Sequence, residues 1–188
     1  MTPFRSLAAP LALAALALAP PAGAAGITEF PTLKSGQWEM TTTSSAAAST
    51  PRKATICLDA STQKAMLDMS AGMQKEMCTR MDMRREGSKF ITDAECKLGN
   101  SVVKSHGVMT MIGDSAYRTE SSATFDPPFN NTLRETRTVI DGKYAGACRD
   151  GLQPGDMVTA NGQKINLRQM QQQGQAQQAQ QAQPPRGK

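Results

Sequence analysis

KFITDAECKL GN SVVKSHGVMTMI GD SAYRTESSATF, running from Lys89 to Phe125, is the stretch that decides the fold. Three segments of strand-like composition are separated by two two-residue turns, Gly99-Asn100 and Gly113-Asp114, whose residues tolerate positive φ. Such punctuation predicts consecutive hairpins, hence an antiparallel meander. The strands read as Lys89 to Leu98, Ser101 to Ile112 and Ser115 to Phe125. Asp126-Pro127-Pro128 reads as a wider connection, followed by Thr132 to Ile140, a third turn at Asp141-Gly142, and Lys143 to Cys148.

Upstream, Gly36 to Thr43 alternates, with Trp38, Met40 and Thr42 on one side and Gln37, Glu39 and Thr41 on the other, the period of a half-buried strand. A Ser-Ala stretch from Ser44 to Thr50 reads as a loop, and Lys53 to Leu58 as a second strand. Asp59 or Ser61 then caps a helix running from about Ser61 to Met77. Met66, Leu67, Met69, Met73 and Met77 recur along it at helical spacing, with Gly72 as a candidate break. Downstream, Asn161-Gly162 marks a short hairpin between Met157 and Asn166. From Arg168 the chain is Gln, Ala, Pro and Gly without an apolar stripe, which predicts disorder.

The first residues have export character. Arg5 supplies a positive start, Leu7 to Ala19 an apolar run, and Ala22-Gly23-Ala24 a small-residue cleavage site. A signal peptide over 1–24, a domain over 27–150, a hairpin appendix over 151–167 and a Gln-rich tail over 168–188 are the expected divisions. The apolar run falls short of the roughly 20 residues of a spanning helix, and no later segment approaches that length. A periplasmic location without a membrane span is expected. Net charge is +5, with basic residues interleaved among acids. No single-sign patch stands out, so nucleic acid is not an expected partner.

Between Gly26 and Leu167 only 22 residues are Leu, Ile, Val or Phe, a poverty that leaves a thin core. Four cysteines, Cys57, Cys78, Cys96 and Cys148, compensate as two disulfides in an exported chain. A three-residue loop Glu86-Gly87-Ser88 pairs Arg85 with Lys89, and the same register sets Cys78 opposite Cys96, within bridging distance. Cys57 is then left with Cys148. Their spacings do not suit a zinc site or a Cys-x-x-Cys redox centre.

Gly36-Gln37-Trp38-Glu39, Thr55-Ile56-Cys57, the Met-rich helix, Cys78, Cys96 and the closing Gly146-Ala147-Cys148 occur in an order that resembles DUF3617, a family of small exported bacterial proteins without an assigned activity. The resemblance covers about Phe30 to Cys148. It implies a mostly β, disulfide-bearing envelope domain and carries over no catalytic residue.

Methionine is the most suggestive residue type. Met81 with Met83 and Met109 with Met111 form two M-x-M pairs with His106 nearby, and soft thioethers select Cu(I). The plainer reading is that methionine fills an irregular core. Trp38 reads as a packing anchor. His106 is the only histidine, and no glycine-flanked serine accompanies it, so enzyme activity and a resident cofactor are not expected. The whole therefore reads as mainly β with one helix (α+β): a curved antiparallel β-meander or half-barrel packed on the Met-rich helix. The expected role is binding of a small apolar molecule or an envelope protein. A Met-based copper or metal-stress protein and an interaction role for the Gln-rich tail are the alternatives.

Overall fold

The computed structural model describes residues 30–46 and 50–181. The expected signal peptide over 1–24, residues 47–49 of the Ser-Ala loop and residues 182–188 of the tail lie outside them. Among the described residues nine strands form one antiparallel sheet: β1 Gly36–Ser44, β2 Arg52–Leu58, β3 Cys78–Glu86, β4 Lys89–Leu98, β5 Ser101–Ile112, β6 Ala116–Phe129, β7 Leu133–Gly146, β8 Asp156–Val158 and β9 Lys164–Asn166. The spatial order is β3-β4-β5-β6-β7-β1-β2-β8-β9, an open sheet with β3 and β9 at its edges. Gly99 and Gly113 adopt φ of 59° and 62° at the two hairpin turns that the sequence marks. The β8/β9 hairpin adds to this same sheet, with Met157 opposite Ile56.

One expected turn is absent. Asp141-Gly142 lies inside β7, where Gly142 is buried opposite Tyr117 and Asp141 pairs with Arg118. A Cβ on Gly142 would stand 2.2 Å from Cε1 of the Tyr117 ring, so this glycine admits an aromatic face rather than reversing the chain. The reversal between β6 and β7 falls instead at Asn130 and Asn131, both at positive φ, and Asp126-Pro127-Pro128 sits within an irregular stretch of β6.

Both expected disulfides are present, Cys57–Cys148 and Cys78–Cys96. The second is reached by a different register from the one the sequence suggests. Gly87-Ser88 is a two-residue connection, so Glu86 pairs with Lys89 and Arg85 with Phe90. That one-residue slip alone would carry Cys78 out of line with Cys96. A register shift between Cys78 and Arg80 restores the opposition, leaving Thr79 as the extra residue.

The helix α1 spans Ala60–Met77 without a break at Gly72. Asp59 caps it, its Oδ1 accepting from the Thr62 amide at 2.7 Å. The Thr62 side chain and amide, ahead of the Ser61 hydroxyl and Arg168, hold the Asp59 carboxyl below its ordinary pKa. Its methionines are not sealed against the sheet: Met66, Met69, Met73 and Met77 are 38%, 42%, 53% and 36% exposed, and the side chain it does bury is Thr62. The reason is connectivity. The helix leaves β2 and enters β3, six places apart in the sheet order, so it bridges the sheet instead of lying along one pair of strands.

A second helix, α2 Leu167–Gln181, occupies most of the segment whose composition predicts disorder. Gln and Ala are strong helix formers even without an apolar stripe. The Asn166 side chain accepts from the Gln169 amide in the first turn of α2, while Arg168 donates to the Ser61 hydroxyl at 2.8 Å and Gln171 to the Ala65 carbonyl at 3.4 Å, docking α2 on α1 through polar groups. No described helix is long and apolar enough to cross a membrane.

Two stability outcomes follow from this framework. Cys57 and Cys148 are 91 residues apart and Cys78 and Cys96 are 18 apart. Replacing the first pair by Ala should lower unfolding free energy by about 4 to 5 kcal/mol and the second by about 3, as measured by urea denaturation. The nearly buried Asp156 accepts from Lys164 Nζ at 2.8 Å, from the Gln153 amide at 2.8 Å and from the Asn166 amide at 2.8 Å, and these bring its pKa down to about 2. A folded pKa below the unfolded value of about 3.9 means its stabilisation is full at neutral pH and is lost as pH falls from about 4 to about 2. Asp156→Asn should remove that acid dependence, worth at most about 3 kcal/mol, from an acid-unfolding series.

Candidate functional site

Strand alternation sorts the sheet into two unlike faces. Following the pairings across it, one face carries Met81 and Met83 from β3, Phe90 and Ala94 from β4, Val103, Met109 and Met111 from β5, and Tyr117 and Phe125 from β6. It continues through Ile140 and Tyr144 of β7, Trp38 and Met40 of β1, Ile56 and Leu58 of β2, and Met157 of β8. Every Asp and Glu of the strands lies on the other face.

That other face is a lattice of ion pairs. Arg84 bonds Asp93 at 2.6 Å, Asp93 bonds His106 Nδ1 at 2.7 Å, and Arg118 bonds Asp141 at 2.8 Å and Glu120 at 3.1 Å. The His106 hydrogen bond first, then Arg84, holds the Asp93 carboxyl below its ordinary range. These pairs are solvent-screened and add little stability, but they make this side hydrophilic.

The apolar face is solid at one end and open at the other. Trp38 is fully buried, its ring centroid 5.7 Å from both Tyr117 and Tyr144, and its indole N–H donates to the Lys34 carbonyl at 2.9 Å. Ile56 and Leu58 complete the core, with Leu33, Met40, Met157 and Leu167 packed around it. Burial raises the Tyr117 hydroxyl above its ordinary pKa. Toward β3, β4 and β5 this packing gives out, and Met81, Met83, Met109 and Met111 are only half-buried.

Between α1 and this face lies a cavity of about 170 Å³, lined by Phe30, Pro31, Leu33, Leu58, Gln63, Met66, Leu67 and Met109. Its single amide side chain is spoken for. Gln63 accepts from the Leu33 amide at 2.8 Å and donates to the Leu33 carbonyl at 2.9 Å, clamping the segment before β1 to the helix. The lining is therefore apolar in effect. A larger groove of about 1100 Å³ between α1, α2 and the β8/β9 hairpin is polar and lined by Lys64, Asp68, Asp156, Lys164 and Arg168, with Lys64 paired to Asp68, Lys164 to Asp156 and Arg168 to Asp59.

The thioether set is not brought to one point. Met81 and Met83 share a face with Met109 and Met111, but β4 runs between them, and His106 projects from the opposite face onto Asp93. Among the described residues, no three His, Cys, Asp or Glu side chains converge in a way that would hold a metal ion. The lining residues Phe30, Pro31 and Leu33 escape sequence reasoning because they lie in a segment without periodicity, and Gln63 because its role is a hydrogen-bonded clamp on Leu33 from within the helix. Met66 and Leu67 carry the legible helical signal.

A family model described as a protein of unknown function, DUF3617, matches residues 33–148, the span that contains β1 to β7, α1 and both disulfides. No curated protein and no solved structure matches the chain.

The packed half of the face predicts a sharp response to one methyl group. Gly142→Ala should cost about 1 to 3 kcal/mol by driving a Cβ into the Tyr117 ring. Calorimetry of Gly142→Ala beside the double variant Gly142→Ala/Tyr117→Leu should show recovery of part of that loss in the double variant.

Proposed function

We propose that this chain, which belongs to the DUF3617 family, is a non-enzymatic periplasmic binding protein that holds a small apolar molecule between α1 and the apolar face of its sheet. The observation that carries this reading is the half-open interface. Met66 and Leu67 of the helix and Met109 of β5 line a cavity that the protein's own side chains do not fill, while Met69 and Met73 stay exposed along the helix and Met81, Met83 and Met111 half-buried on the same sheet face as Met109. A row of exposed large apolar side chains beside a cavity is the kind of surface that marks a binding site. Methionine suits such a surface, being unbranched and able to repack around different shapes.

The sheet is read as a half-barrel with this face concave, and the length of α1 supports that. Eighteen residues of helix reach about 27 Å. Leu58 and Cys78 stand at opposite ends of strands six places apart, which on a flat sheet is a diagonal of roughly 50 Å. Curling brings the two within the reach of the helix, and lets Met109 of β5 and Leu58 of β2 line one cavity across three intervening strands.

The two disulfides suit α1 to the role of a strap. Cys57 lies just before its cap and Cys78 directly after its last residue, so both ends are tied to the sheet while the middle stands off. A cavity of about 170 Å³ is similar to an engineered apolar site of about 150 Å³ that binds benzene. It takes a small apolar body or the end of a chain, the rest lying along the methionines.

Titration of the exported, oxidised protein with the uncharged dye Nile red should show saturable enhancement of its fluorescence. Leu67→Lys, at a position already 39% exposed and so tolerant of charge, should weaken binding at least about tenfold with unchanged circular dichroism. Equal dye binding by the variant, or no saturable binding by the parent, would count against the reading.

A further inference from the structure

The strand charges are sorted by sign as well as by face. The apolar face holds no carboxylate, and the charged residues that alternation and pairing place on it are all arginines: Arg52 opposite Thr42, Arg85 opposite Phe90, and Arg134 two residues before Thr136. Random scatter of a charge set that includes ten strand acids would not leave this face without one. Arg85 is the one adjoining the cavity. Its guanidinium lies over the Phe90 ring, 5.1 Å from the centroid, and Phe90 is directly opposite Met109, which lines the cavity.

Its neighbour in sequence shows the contrast. Arg84 points to the hydrophilic face and is engaged by Asp93 and Glu86. Arg85 gives its Nε–H to the Gly87 carbonyl at 3.0 Å and has no acidic partner among the described residues. The remaining edge of its guanidinium is a planar fork of donors, the geometry that matches a carboxylate or a phosphate. Stacking on Phe90 holds that fork beside apolar surface without satisfying it.

We infer that the ligand is a single-chain anionic amphiphile, its tail in the cavity beneath α1 and its head group held by Arg85. The inference rests on the apolar-binding reading above and adds the head-group chemistry to it. Free fatty acids and lysophospholipids share that chemistry, one apolar chain ending in an oxyanion.

Isothermal titration of the exported, oxidised protein with laurate, 1-lauroyl-lysophosphatidylglycerol and dodecanol, below their aggregation concentrations, tests it. At least one anion should bind about tenfold more tightly than dodecanol, and the tighter of the two identifies the source. Arg85→Gln should remove about that tenfold preference and leave dodecanol binding as it was. Arg84→Gln, which changes net charge equally on the far face, should leave the preference intact; equal losses in the two variants would mean a general charge effect and would overturn the inference. If all three ligands bind alike and Arg85→Gln changes none, the head-group assignment fails while the apolar site stands. Absence of binding by all three, together with no Nile red binding, would overturn both.

Discussion

Two covalent bridges placed at the two ends of one helix are the constraint from which the rest of this structure follows. Cys57 and Cys78 bracket α1, and their bridges to Cys148 and Cys96 fix the strands at which the helix starts and ends. A chain so poor in large apolar residues has few other means of holding an open sheet of nine strands in one shape. The bridges act chiefly by shrinking the unfolded ensemble, which relieves the core of that duty. An incompletely packed interface between helix and sheet is then tolerable.

The core that does exist is local. Trp38, flanked by Tyr117 and Tyr144 and backed by Ile56 and Leu58, fills the part of the apolar face around β1, β2, β6 and β7. Gly142 makes room for Tyr117 there, which shows packing selected to close tolerance. A few strands away the same face carries flexible thioethers that stay half-exposed. Tight packing and its absence within one sheet define where the protein is rigid and where it has room. Ion pairs across the opposite face contribute hydrophilicity more than stability, and they draw the strand acids to that side.

Much of this was legible from residues alone, and the failures have identifiable causes. The turns at Gly99-Asn100 and Gly113-Asp114 and the strands they join follow from local chemistry, and so do the extent of α1 and its Asp59 cap. Asp141-Gly142 has the composition of a turn but serves as a gap for an aromatic ring, and that need is created by a residue in another strand. The Cys78–Cys96 pairing was recoverable although the hairpin register was not, because a one-residue change in the turn is offset by an extra residue beside the cysteine. For α2, the lack of an apolar stripe suggested disorder, whereas polar bonds to α1 supply its docking. The candidate cavity was legible only by half, through the helix periodicity that places Met66 and Leu67, with Phe30 and Leu33 brought to it by an irregular segment that Gln63 of the helix clamps in place.

By itself the sequence determined the local grammar: which segments are strands, where most hairpins turn, which cysteines are partners, and that the apolar content is too thin to close a full core. Those are properties of short windows, set by turn chemistry, periodicity and composition. Only the tertiary structure decided that α1 bridges the sheet with its methionines half uncovered, that carboxylates are excluded from one face, and that Arg85 lies on Phe90 beside a cavity. Each of these depends on the register of pairs distant in the chain, where a single extra residue exchanges one face for the other.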